Sequence, residues 1–203
     1  MANNPNIIEM LFVNNANIVV ENEFGKALRS QRHLFPYLGA KDKFLGYAFS
    51  QRKRMIIRTD NYSELKAAHE YFGEFVNEAN AKEMLVTLRD KGLPFIKFPK
   101  NSEKTQPTAK IGDLHFQLHF RLKKVKNIID ERLSKATNRA GLMEKYGYDT
   151  KFGSHLVRLM IEGIYLLRDG ELTFPLKEAG LILDIKQGKY TMTDVLGIAE
   201  QYE

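Results

Sequence analysis

Apolar and polar residues alternate along this chain with a period that changes twice. Up to about residue 90 the spacing is helical. Ile7, Ile8, Leu11 and Phe12 predict a short helix over 5–12, with Pro5 suited to its first turn. Ile18, Val19 and Val20 predict a short strand, and Glu21 to about His33 a helix ending near Pro36. Phe44, Tyr47, Ala48 and Met55 line one face of an expected helix over 41–57. Leu65, Ala68, His69, Phe72 and Phe75 do the same over 62–78. A further helix is expected from Ala81 to Asp90, stopped by Gly92 and Pro94.

Between residues 114 and 122 the period becomes two. Leu114, Phe116, Leu118, Phe120 and Leu122 alternate with His115, Gln117, His119 and Arg121, which is strand spacing. Phe95-Ile96-Lys97-Phe98 is the expected pairing partner, joined through a polar loop over 100–110. From about Lys123 the helical period returns through Val125, Ile128, Ile129 and Leu133. An apolar helix over 151–168 should stop at Asp169-Gly170. Glu171–Phe174 reads as extended, and the last two helices as 176–187 and 192–202. Thr191 and Asp194 have capping-box spacing for the last one.

These elements imply a mainly α fold, a helical bundle-like domain with a small inserted β-hairpin. The absence of βαβ alternation argues against a doubly wound sheet. Three segments are expected to form one compact unit: 1–58, an N-terminal helical segment; 59–122, inserted helices plus the hairpin; and 123–203, a C-terminal helical domain.

Composition narrows the chemistry. The 203 residues contain no cysteine, which excludes disulfides, thiolate zinc sites and a cysteine nucleophile. No leader-like N-terminus and no membrane-length apolar run are visible, so the expected location is cytoplasmic, away from membranes. The net charge of +6 is uneven. Residues 121–145 hold eight Lys or Arg against three acids, whereas 171–203 hold three Lys against six acids. One basic face is the expectation, and with it a polyanionic partner.

Lys151, His155 and Arg158 are spaced to share one helix face. A mobile ammonium, a titratable imidazole and a planar guanidinium suit a phosphate-rich ligand. Spacing alone is better described by an amphipathic helix with a basic solvent face. Arg52, Lys53, Arg54 and Arg58 form a second basic cluster, explained either by a helix C-terminal dipole or by nucleic-acid contact. Lys123, Lys124 and Lys126 are further candidates for such contact. His115 and His119 have metal-ligand spacing on a helix, but a strand would separate them, and no metal site is expected. No phosphate-binding loop, dinucleotide fingerprint, nucleophile elbow or Asp-x-Asp pair is present. Glu9, Asp113 and Asp149 read as single acids.

Three blocks carry a family resemblance. They are Asn4-Pro5-Asn6-Ile7-Ile8-Glu9-Met10-Leu11-Phe12, then Phe44-Leu45-Gly46-Tyr47-Ala48-Phe49-Ser50-Gln51, then Tyr146 through Gly163 to Gly170-Glu171-Leu172, continuing at Leu183-Asp184-Ile185-Lys186-Gln187-Gly188-Lys189-Tyr190. In order and approximate spacing they resemble predicted nucleotidyltransferases of the DNA polymerase beta superfamily, a group of bacteria and their phages. Residues 59–130 are extra.

The resemblance implies an α/β catalytic domain followed by a helical one. The Gly-Ser motif and Asp-x-Asp pair that position nucleotide and magnesium lie upstream of the first block in that family. Here Gly153-Ser154 is the only Gly-Ser, and no Asp-x-Asp follows it. Phe152-Gly153 also stands where relatives carry a small pair after the Lys. The chain therefore resembles the helical, phosphate-contacting part of such an enzyme. Lys151, His155 and Arg158 would face the cleft, with Tyr47 and Gln51 as weaker candidates. No catalytic residue is assigned, and whether the chain is an enzyme stays open. Magnesium-dependent transfer would need a partner chain to supply the carboxylates. The apolar face of helix 5–12 points to such a partner or to self-association. The alternative readings are a non-enzymatic nucleic-acid-binding module and a phage-type interaction protein.

Overall fold

A computed structural model describes residues 6–34, 38–98, 108–134 and 138–203. The elements are α1 (Asn6–Glu9), α2 (Glu23–Ser30), α3 (Leu38–Phe75), β1 (Thr108–Ile111), β2 (Leu114–Gln117), α4 (Leu122–Ser134), α5 (Asn138–Tyr146), α6 (Thr150–Asp169), α7 (Ala179–Lys186) and α8 (Met192–Gln201). The protein is mainly α with one small antiparallel hairpin, as the periodicity implied. No helix among the described residues is long and apolar enough to cross a membrane. Asn4, Pro5, Pro36 and residues 100–107 of the expected loop lie outside the described residues.

The chain forms two compact units, one from 1–56 with 146–203 and the other from 57–145. This division differs from the three segments drawn on sequence. Leu122, Val125 and Ile129 of α4 pack with Leu65, Phe72, Leu85 and Phe116, so α4 shares a core with the inserted stretch. The first unit has its own core of Phe44, Ala48, Met55, Tyr148, Leu156, Leu159, Met160 and Ile185.

In the first unit, the expected helix over 5–12 is one α turn followed by a 3-10 turn, Met10–Phe12. Phe12 is buried and Ile8 and Leu11 pack on the core, while Ile7 and Met10 stay exposed. The strand expected at Ile18–Val20 is not formed: Val19 and Val20 are 96% and 87% exposed, with no ladder partner among the described residues. β propensity without a neighbouring strand leaves nothing to pair with. Helix α6 is capped at both ends. Asp149 accepts from the Lys151 and Phe152 amides, and Gly170 takes the left-handed conformation that ends it. The expected helix over 176–187 begins at Ala179. The Thr191–Asp194 capping box forms at the start of α8.

Two expected helices, 41–57 and 62–78, are one helix, α3. The polar Arg58-Thr59-Asp60-Asn61 stretch contains weak helix formers but neither Gly nor Pro, so it does not break the helix. The helix expected at 81–90 is absent. Leu85 and Val86 give their amides to the Phe120 and Leu118 carbonyls, and only a 3-10 segment, Leu85–Lys91, follows. Tertiary pairing has replaced the local i to i−4 bonds.

The hairpin also differs in register. β2 pairs with β1, not with 95–98, and ends at Gln117, where the chain turns. Lys97 makes a single bridge to the far side of β1 at Lys110. Gly112-Asp113 forms the two-residue loop, with Gly112 at φ +57 where a side chain would meet the Asn61 carbonyl.

Candidate functional site

The polar face of α6 descends from solvent into the core of the first unit. Lys151 is exposed, His155 and Arg158 are half-buried, and Glu162 is fully buried. The helical period places these four on one side, and the apolar residues Leu156, Val157, Leu159 and Met160 fix that side by packing the rest of the helix.

Arg158 organises the cluster. One terminal nitrogen donates to Glu9 Oε2 at 2.9 Å, the other lies 2.9 Å from His155 Nδ1, and Nε is 3.8 Å from Glu162 Oε1. A guanidinium can only donate, so His155 Nδ1 must carry the lone pair. Burial, and then the Arg158 charge, push the His155 pKa down to about 4. The neutral ring therefore has its proton on Nε2, available as a donor. Tyr47 meets the ring edge to face, with centroids 6.0 Å apart.

Glu162 is the residue with the largest perturbation. Burial raises its pKa to about 9, and the Glu9 charge adds to this against the opposing Arg158. No N–H or O–H of the described residues reaches Glu9 Oε1 or either Glu162 oxygen. Burial and the nearby Glu9 charge favour the protonated form of Glu162. Glu9 and Glu162 are thus a carboxyl pair, whereas Glu9 read from sequence alone was a single acid. The overlooked signal was an acid between Met160-Ile161 and Gly163-Ile164, inside an otherwise apolar stretch and one turn beyond Arg158.

The expected phosphate face is therefore partly engaged within the chain. Lys151 makes no ion pair among the described residues, but Arg158 is already held by Glu9. Gln51 is 2% exposed and one turn from Tyr47, and its amide nitrogen has no hydrogen-bond partner among the described residues. No hydrogen bond joins it to the cluster.

The remaining candidates are dispersed. Arg52 pairs with Glu200 at 2.9 Å. Lys53 and Arg54 are exposed on α3, as is Arg58 in the second unit. Because α3 continues to Phe75, none of them lies at a helix C-terminus, and the dipole explanation for that cluster falls. Lys126 pairs with Asp130, which also meets His69 Nδ1 at 2.8 Å. Lys123 and Lys124 are exposed at the start of α4. His115 is exposed on β2, and His119 lies beyond its end, edge-on to Phe120.

Among the described residues no group of three or more His, Asp or Glu is placed to hold a metal ion. Glu9 and Glu162 already face the Arg158 guanidinium, which occupies the side of both carboxyls that a magnesium ion would need. No protein-family model, curated protein or solved structure matches the chain.

Proposed function

We propose that this chain is nucleotidyltransferase-related and supplies a helical, phosphate-contacting face to a transfer site that a partner chain completes. One observation carries the reading. The three sequence blocks that bear the resemblance, remote along the chain, meet in one unit: Glu9 pairs with Arg158, and the Tyr47 ring meets that of His155 edge to face. Packing alone would need only their apolar residues.

In this reading Lys151 provides the exposed charge for a phosphate, and the His155 Nε2–H donates to it. Arg158 holds the His155 ring and, by exchanging Glu9 for a phosphate oxygen, could join the contact. Magnesium, where present, would be held by the partner's carboxylates and would neutralise phosphate charge there.

Calorimetric titration of a nucleoside triphosphate tests this. Binding should weaken by about tenfold in Lys151→Ala, the loss of one charge-assisted contact. Nucleotide transfer by the purified chain should be undetectable. Binding indifferent to both Lys151→Ala and His155→Ala would overturn the phosphate face, and ordinary turnover by the chain alone would overturn the need for a partner.

A further inference from the structure

The second unit carries a basic groove that the reading of α6 does not use. Its walls are the start of α4 and the turn after α3, and its volume is about 780 Å³. Lys82, Arg121, Lys123, Lys124 and Asn127 line it with exposed side chains, Ile128 is half-buried, and Glu78 and Glu131 are its acids. The backbone around it is tied down: Leu122 donates to the Glu83 carbonyl at 2.8 Å and Lys123 to that of Ala81 at 3.2 Å. Leu122, Val125 and Ile129 anchor the helix beneath.

Ion pairing within the fold does not account for these cations. Lys123 and Lys124 occupy the first turn of α4, where the helix dipole disfavours positive charge, and no acid offsets them in that turn. None of Lys82, Arg121, Lys123 and Lys124 makes a salt bridge among the described residues. Lys126, one position outside the groove lining, does so with Asp130. The first α4 amides are taken by backbone carbonyls, so any anion must be held by side chains. Lys124 Nζ lies 3.7 Å from the centre of the Phe120 ring.

We infer that this groove binds the phosphodiester backbone of single-stranded nucleic acid. Four cations against two carboxylates leave it positive, as a polyanion requires. A concave track admits a strand, whereas a flat anionic bilayer would press against the Glu78 and Glu131 carboxylates. Phe120 does not line the groove but lies half-buried beneath Lys124, which does; a base that reached its ring would stack there, a contact that an acidic peptide lacking aromatic groups cannot use.

The test is fluorescence anisotropy of the intact protein with a short labelled oligouridylate or oligothymidylate across a salt series. With four phosphates engaged, log K should fall against log salt with a slope of about −3, at about −0.7 per phosphate. Lys123→Gln combined with Lys124→Gln should reduce that slope to about −1.4. Lys177→Gln combined with Lys186→Gln removes the same charge from the first unit and should leave it unchanged. Circular dichroism confirms that the variants fold. Binding by either oligonucleotide supports the inference, and tighter binding of the ribose form assigns a contact to its 2′-hydroxyl. Absent binding at low salt, equal losses in both double variants, or equally good competition by phosphatidylserine vesicles or polyglutamate would overturn it. The variants leave Lys151 and His155 intact, so failure here is distinct from failure of the nucleotide reading.

Discussion

The Arg158 guanidinium donates to the Glu9 carboxylate at 2.9 Å, joining positions 149 residues apart. This bond ties α1 to α6 and compensates a carboxyl group that is largely removed from water. Arg158→Ala should therefore destabilise the protein by about 2–3 kcal/mol, below the roughly 3–5 kcal/mol of a fully buried pair because part of the guanidinium is exposed. Urea unfolding measures it. In a double-mutant cycle with Glu9→Gln the two losses should fall short of additive, and strict additivity would show the pair contributes nothing.

Glu162 gives the protein an alkaline weakness. Its folded pKa is raised to about 9 from an ordinary 4.5, so the folded state holds a proton that the unfolded state releases. That contribution is complete below pH 4.5 and is lost as pH rises to 9. Glu162→Gln mimics the protonated acid and cannot ionise. Its stability relative to the native protein should rise steadily across that window, and a constant difference would contradict the burial of a protonated carboxyl.

His155 acts in the opposite direction. Its folded pKa is lowered to about 4 from 6.5, so the stability it contributes is present above 6.5 and is lost as pH falls to 4. Titration of the ring by NMR should show a neutral imidazole with the Nε2–H tautomer down to pH near 4. A midpoint near 6.5 would mean that the ring is not buried and does not stay against Arg158 in solution.

Gly188 has φ +76, and a side chain there would run into the Tyr146 ring. Gly188→Ala should cost about 2–4 kcal/mol, combining left-handed strain with overpacking. Thermal unfolding reads the change. A shift no larger than that of an exposed Gly180→Ala would show that Tyr146 moves aside.

Tyr148 is fully buried and donates from its hydroxyl to the Tyr190 carbonyl at 3.0 Å. Burial, then the nearby Asp194 charge, raise its pKa to about 12. Tyr148→Phe should cost about 1 kcal/mol, the net worth of one such bond plus an unpaired carbonyl. Stability unchanged on urea unfolding would show that water replaces the hydroxyl.

What the sequence made legible was local. Helices α6 and α8 could be read with their caps because Asp169-Gly170 and Thr191/Asp194 act within a turn of themselves. What it hid was tertiary. Nothing local to Leu85 and Val86 says that their amides will pair with 118–120, and nothing in Thr108–Ile111 outbids 95–98 as the partner of β2. At the site, one helix turn of spacing found Lys151, His155 and Arg158. That Glu9 would claim Arg158 depends on a contact across most of the chain, and periodicity carries no information at that range.

The discontinuity of the first unit sets an order of events on the ribosome. Residues 57–145 are contiguous, so every partner in their core has been synthesised before Tyr146 appears. The first 56 residues, by contrast, emerge without α6, and Phe12, Phe44 and Glu9 must wait for the helix that covers them. During that interval an apolar segment and an unmatched acid are open to solvent and to chaperones. Glu9 meets its guanidinium partner only when Arg158, 149 residues further along, has been made.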